Sequence, residues 1–559
     1  MNTLPVHSPH LMRFNLGSWL ERFLAPGQDS GTRSRRLTWT AFATGLAVIC
    51  GTTAFIGAVP TKIYGHDVFV PLEAGWRVIH GQRPHVDFVS PWGPVWFLVV
   101  ALGLTISGYS ADGIGYSNAI MALLVGSWSF FVSRKRLGPY SRVILSCFLA
   151  ALVAAPYPLG ESFYISSHAM AYNRYGYALL GLILLECIAS IRGSGTEEWI
   201  GGVSTGAALS LTLFLKASYF LTAVVVAGAI TLLLRRTGYR RLLGMMLSFI
   251  LVSVGLLGYL RFSLAAMLRD LRMAGAARAA ALTPRHVFQL GVNHASVLLG
   301  VVLLALAAAL LFADRIPGWR TPTLLAIGML LFAADVGLMS TNSQLGGFPL
   351  CAVFAILMAH EIAQDQRSLP PAQAPVGRPC CAGALFLGVL LFLPQFASDL
   401  AGLFYGAWEK QWPSPVPGGL VTFTSPSLKP LLLYDGEEPR SNGHVYTAYV
   451  NDGVALLERH SRADETVLSM DMTNPFPIAL GRRPPCAGIL SPVYHFNLDD
   501  AHRPADDRFF GDADIVMVPK HPTLGDQDFL DFLKAYQGGL LQRYYLAAET
   551  SWWWMYRRK

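Results

Sequence analysis

Apolar runs of bilayer-crossing length recur along this chain, and no other feature constrains its fold as strongly. A crossing helix needs roughly 20 predominantly apolar residues, with about 17 as the usual lower limit. Eleven candidates stand out, several of them short enough that their ends must extend into the flanking loops: 39–59, 115–133, 143–157, 176–191, 200–215, 219–234, 242–260, 295–312, 322–338, 348–363 and 381–397. Bulk composition agrees, since 53% of the residues are hydrophobic and 14% charged, where soluble domains run nearer about a quarter charged. The expected fold class is a polytopic α-helical membrane protein.

Charge sets the topology. The net charge of +8 comes from arginines that fall mainly in short loops between apolar runs. That is the distribution of topology signals rather than of a nucleic-acid footprint, so nucleic acid is not an expected partner. With the N-terminus inside, after Arg13, Arg22, Arg33, Arg35 and Arg36, the clusters "SRKRLGPYSR", "LLRRTGYRR", "DRIPGWR" and "DQRSLPP" all fall inside as well. Parity rests on two readings. The run 95–108 is an interfacial helix, because 14 residues are too few to span, and 200–234 is two spans around "FLKASYF". Eleven spans then leave the C-terminal 160 or so residues outside.

Domains follow. Residues 1–38 are a cytoplasmic segment, too polar for a cleaved signal peptide, and 39–397 form the transmembrane part with an external loop at 60–114. Residues 398–443, rich in Pro, Gly and Ser, read as a linker. Residues 444–559 read as a small α/β domain, with helical periodicity in "VYTAYVNDGVALLERH" and "DQDFLDFLKAYQ". "ETVLSMDM" and "ADIVMVPK" have strand length, and "LQRYYLAAE" with "SWWWMYR" suggest a terminal hairpin. The seven cysteines show no metal spacing and no disulfide framework is expected.

The loop after the first span is unusually polar. "YGHDVFVPLEAGWRVIHGQRPHVDFVSPWGP", 64–94, holds His66, Asp67, Glu73, Arg77, His80, Arg83, His85 and Asp87. A carboxylate there can meet a substrate whose tail lies in lipid and whose head lies in water; equally, Asp67 could cap a helix over 68–80. Lys216 sits within an apolar stretch, where a charge costs about 2.5–3.5 kcal/mol and usually marks a site; a snorkelling lysine is the plainer alternative. Arg174, in "YNRYGY", can serve as a bidentate phosphate contact or as an interfacial anchor. Asn342 and Gln344, in "STNSQLGGFPL", could bond sugar hydroxyls, or simply cap the loop. The arginines of 261–286, Arg278 among them, read first as a membrane-surface helix.

An Asp after the first span, followed by the G-x-x-P-H-x-D-F and G-P cadence of "EAGWRVIHGQRPHVDFVSPWGP", resembles the first external loop of GT-C glycosyltransferases. That superfamily includes protein O-mannosyltransferases, aminoarabinose transferases of lipid A and the oligosaccharyltransferase catalytic subunit. The resemblance covers residues 39 to about 235 and the plan of eleven spans with an external C-terminal domain. It implies a multi-pass enzyme of the bacterial inner membrane, C-terminal domain periplasmic, moving a sugar from a polyprenyl-phosphate donor to a glycan, lipid or protein acceptor with inversion. Asp67 would be the base, with Asp87 as a second carboxylate. Lys216 and Arg174 would meet the phosphate, with His66, Arg83, His85, Asn173 and Gln344 as further substrate contacts. The second external loop offers only Glu161, well before the family's further acidic motif, so no metal and no cofactor is expected. The rivals are a flippase of lipid-linked sugars, against which no repeated pair of interrupted spans appears, and a non-catalytic membrane scaffold.

Overall fold

The computed structural model describes residues 32–559 except 190–194, 236–237, 282, 313–319, 343, 366–373, 416–418, 436–439 and 524. Most of the expected cytoplasmic segment and parts of four arginine-bearing loops therefore lie outside the described residues.

Every expected span contains a helix. Helix α1 (Thr32–Ile56) leads into a loop bearing α2 (Phe69–Ile79) and α3 (Pro94–Ile106). There follow α4 (Gly113–Val132), α5 (Pro139–Ala154), α6 (Ala171–Ile188), α7 (Gly195–Leu213), α8 (Ala217–Leu233) and α9 (Tyr239–Tyr259). Two helices, α10 (Leu264–Ala281) and α11 (Pro284–Asn293), precede α12 (Ala295–Phe312), α13 (Thr321–Thr341), α14 (Pro349–Asp365) and α15 (Ala374–Gln411). Five stretches among the described residues are long and apolar enough to cross a membrane unaided: Arg35–Ile56, Gly113–Lys135, Tyr239–Tyr259, Thr321–Thr341 and Cys381–Gln411. Helix α11 with α12, bent by 66°, makes a sixth. Burial explains the shorter ones. All of α6 is buried, and a helix wrapped in protein need not match the lipid thickness.

Ion pairs mark two ends of the bundle. At one end Lys410 of α15 donates to the Ile56 carbonyl (2.8 Å) and to Asp112 (3.2 Å), while Lys62 reaches Glu409 at 3.2 Å. At the other, Arg136 pairs with Glu186, Arg134 with Glu197 (3.2 Å), and Arg142 lies 3.5 Å from the Phe130 ring centroid. Helices α7 and α9 pack along small residues: a Cβ at Gly202 would lie 2.2 Å from the Arg241 carbonyl, and one at Gly206 2.1 Å from that of Met245. Equal four-residue steps on both helices make the seam parallel, as the odd-pass topology requires for these two elements.

The chain does not run loose after the last apolar run. Helix α15 continues to Gln411, and β1 (Leu420–Thr422) pairs antiparallel with β2 (Leu432–Tyr434). Thr61 donates to the Leu432 carbonyl (2.8 Å) and accepts from the Tyr434 amide (2.9 Å). The segment expected to be a linker is therefore part helix and part ribbon sewn onto the first loop. The C-terminal region holds α16 (Gly443–His460), β3 (Val467–Ser469), α17 (Phe476–Leu480), α18 (Asp506–Phe510), β4 (Ile515–Pro519), α19 (Asp526–Arg543), β5 (Tyr544–Glu549) and β6 (Trp553–Arg558). Its sheet order is β3-β4-β6-β5, with β3 and β4 parallel and the β5–β6 hairpin closing it.

Candidate active site

Asp67 does not cap α2. It sits in a 3-10 turn, His66–Val68, ahead of the helix, and no side chain caps the α2 N-terminus. Its carboxylate faces His66 instead, whose Nε2 lies 3.5 Å from Oδ1. His66 is itself fixed at its backbone amide (3.0 Å) and Nδ1 (3.2 Å) by the Ser441 carbonyl. The Asp67 side chain is 17% exposed. Burial raises its pKa, opposed by the neighbouring His66. The result is a carboxylate more basic than one in water and still open to a ligand.

Lys216 lies in the break between α7 and α8, in extended backbone (φ −163°, ψ 134°). The "WGP" of the first loop shapes that break. The Gly93 amide donates to the Leu215 carbonyl (3.0 Å) and the Val95 amide to that of Phe214 (3.1 Å). A Cβ at Gly93 would lie 2.1 Å from the Phe214 oxygen, so only glycine permits this approach. The Lys216 ammonium lies 4.5 Å from the Tyr172 ring centroid and 3.4 Å from its hydroxyl. Trp92 and Trp96 flank the same ring at 5.4 and 4.9 Å. Asp67 and Arg278 lie within electrostatic reach of Tyr172, and Arg278 within reach of Lys216. One tyrosine thus meets Lys216 directly and has Asp67 and Arg278, from two further parts of the chain, within electrostatic reach.

Arg278 was not among the expected site residues. It reaches in from α10, donating to the Ser340 carbonyl (3.0 Å) and stacking 4.0 Å over Phe496. Only its membership of a basic stretch was visible beforehand, and that stretch reads more simply as a surface helix.

"YNRYGY" divides its work residue by residue. Tyr172 meets Lys216. Asn173 accepts from the Tyr219 hydroxyl (3.2 Å), and Tyr177 donates to Gln344 (3.4 Å), so Asn173 and Gln344 join a tyrosine cluster around Tyr219 rather than contacting Lys216 or Asp67. Gly176 leaves room for the Tyr219 ring, which a Cβ would meet at 2.5 Å. Arg174 corrects an expectation. Its guanidinium bonds Asp399 (2.9 Å), the Leu152 carbonyl (2.9 Å) and the Tyr157 carbonyl twice (2.9 and 2.7 Å). Four bonds at a buried position make it a structural cross-brace with no fork left for a phosphate.

Most of the polar first loop serves another purpose. Arg77 bonds Glu73 (3.0 Å), Gln82 (3.0 Å) and the Pro485 carbonyl (2.9 Å), and Glu73 accepts from the Asn474 amide (3.1 Å). Trp76 donates to the Arg482 carbonyl (2.8 Å) and Gln82 to that of Pro484 (2.7 Å). These residues dock the C-terminal region. Asp87 accepts from the Arg83 amide (2.7 Å) and so closes its own turn, while the Arg83 guanidinium lies 5.9 Å from the Tyr259 ring. His85 is buried against Asp270 of α10, 3.2 Å away. Among the described residues no group of three or more His, Cys, Asp or Glu converges as a metal site.

No protein family description matches the sequence, and no curated protein matches it. Solved structures do align. ArnT from Cupriavidus metallidurans bound to undecaprenyl phosphate aligns over 92% of this chain and 97% of its own, at 12% identity and TM-score 0.37. Its apo state aligns over 94% and 98%, at 11% identity and TM-score 0.38. The archaeal oligosaccharyltransferase AglB from Archaeoglobus fulgidus, in complex with an inhibitory peptide and a dolichol-phosphate, aligns over 93% of this chain and 74% of its own, at 10% identity and TM-score 0.37. Scores this low leave the functional assignment to the chain's own residues.

Proposed function

We propose that this membrane protein is a glycosyltransferase of the GT-C type, moving a sugar from a polyprenyl-phosphate carrier to an acceptor at the outer face of the membrane. The observation that carries the reading is a first loop that bears a partly exposed carboxylate, Asp67, and through "WGP" shapes the break where Lys216 meets Tyr172, Trp92 and Trp96. The resemblance of "HGQRPHVDF" and "WGP" to GT-C first loops supports it. So does the position of the cations Arg134, Arg136 and Arg142 at the bundle end opposite Asp67, which the positive-inside rule assigns to the cytoplasm.

The chemistry follows from the parts. Asp67 takes the proton of the acceptor as its heteroatom attacks the anomeric carbon. The bond from that carbon to the phosphate oxygen breaks, and the phosphate departs with its charge. A positioned base contributes about 10²–10⁴-fold. Lys216 and Arg278 oppose the charge that develops on the leaving phosphate, where one preorganised donor is worth about 10²–10³-fold. Attack from the face opposite the phosphate inverts the anomeric centre.

The test is transfer from a panel of polyprenyl-phosphate sugars by purified protein, beside Asp67→Asn and Lys216→Ala of equal fold. Transfer abolished by Asp67→Asn and slowed by Lys216→Ala supports the reading. Transfer undiminished in Asp67→Asn would refute the assigned base. Failure of every donor, with carrier flux across vesicles, would favour a flippase.

A further inference from the structure

Helix α10 is thinly anchored for an element that carries a site residue. Among its described side chains only Met267, Asp270 and Ala277 are buried, while Leu264 and Leu268 are 44% and 41% exposed. The polar member of that buried set is the informative one. Asp270 has a fully buried side chain and lies between two distant segments. Arg508 of α18 reaches it with both terminal nitrogens, Nη1 to Oδ1 at 2.9 Å and Nη2 to Oδ2 at 3.2 Å. His85 of the first loop meets Oδ2 through Nδ1 at 3.2 Å, and Arg269 lies 3.5 Å from Oδ1. Arg508 closes the ring by donating from Nη2 to the His85 carbonyl at 2.9 Å.

His85 is left-handed, with φ +68°, a conformation that a non-glycine residue keeps only where its surroundings hold it. Its Nε2 is buried with no hydrogen-bond partner among the described residues. A packing role alone would be served by an apolar side chain. A carboxylate gripped by a bidentate arginine adds directional geometry that apolar contact lacks.

Two turns further along α10 stands Arg278, whose guanidinium rests on Phe496 of the same C-terminal region. We propose that His85, Asp270 and Arg508 form a latch that holds α10 over the site and thereby sets Arg278 against the carrier phosphate. The three are positioning residues, and the inference rests on Arg278 meeting that phosphate as proposed above. The latch joins the first loop, α10 and the C-terminal region at one carboxylate. It therefore gives the C-terminal region a role in donor binding.

The experiment uses the full chain in lipid nanodiscs, with undecaprenyl phosphate as the probe. Hydrogen exchange over residues 264–281 and probe affinity are measured for wild type, Asp270→Asn, Arg508→Lys, Arg278→Ala and the Asp270→Asn/Arg278→Ala double variant. Arg508→Lys keeps the charge at a partly exposed edge and serves where Asp270→Asn folds poorly. The latch predicts faster exchange across 264–281 in both latch variants and affinity weakened about tenfold, the scale of one charged hydrogen bond. It also predicts that the double variant binds within about twofold of Arg278→Ala, because both changes remove the same contact. Unchanged exchange in the latch variants, or affinity losses at 270 and 278 that multiply, would overturn it. If wild type fails to bind the probe, the phosphate reading falls and the exchange data alone decide the latch.

Discussion

The brace between Arg174 and Asp399 offers a sharp trial of the division of labour in "YNRYGY". Both side chains are buried, at 3% and 0% exposure, and the guanidinium makes four bonds within 2.9 Å. Among the described residues, Arg174→Ala leaves Asp399 with the Tyr157 hydroxyl (2.9 Å) and Gln395 (3.1 Å). Removing one member of a buried pair costs about 3–5 kcal/mol, because the remaining charge is uncompensated. Against a typical total stability of about 5–15 kcal/mol, that is a large loss. Replacing both members by apolar residues of similar volume is commonly neutral, or stabilising by about 1–4 kcal/mol. Thermal denaturation in detergent should therefore show a marked fall for Arg174→Ala and recovery in Arg174→Met/Asp399→Leu. The recovered double variant should also transfer sugar, since neither residue touches substrate in this account. A folded double variant that is catalytically dead would refute the reasoning and return Arg174 to the site.

The transfer rate should fall on acidification with an apparent pKa above the ordinary aspartate value of about 3.9, because burial raises the Asp67 pKa; rates of wild type across pH, beside the residual rates of Asp67→Asn, check it. A folded pKa above the unfolded one means that protonation favours the fold, so the stability contribution of Asp67 is present at low pH and lost as pH rises through the folded pKa. Asp67→Asn should accordingly melt no lower than wild type at neutral pH, and a clear drop would contradict the stated environment. Gly93→Ala forces a Cβ to within 2.1 Å of the Phe214 oxygen. It should cost about 1–3 kcal/mol by overpacking and slow transfer through Lys216, whereas Gly228→Ala, which meets nothing within 4 Å, should leave activity unchanged. Arg77→Ala severs bonds to Glu73, Gln82 and Pro485 and should expose residues 474–490 to proteolysis before the helices melt.

Hydrophobic patterning by itself placed a helix in each of the eleven apolar runs and located the terminal hairpin, because burial in lipid or in a sheet core demands apolar runs of characteristic length and period. It also located Asp67 and Lys216, since a charge beside or within an apolar run carries a cost that invites an explanation. Partner choice was out of its reach. Arg174 and Arg278 look alike along the chain, each an arginine near an apolar segment. Asp399, 225 positions away, claims the first, and α10, folding back toward the Tyr172 hub, brings in the second. The first loop shows the same limit. Its crowd of ionisable groups suggested one wall of an active site, yet Glu73, Trp76, Arg77 and Gln82 face the C-terminal region at 474–485. Hydrogen bonds at about 3 Å depend on which surfaces meet, and across some 400 residues that meeting is settled only by the packing of the whole chain.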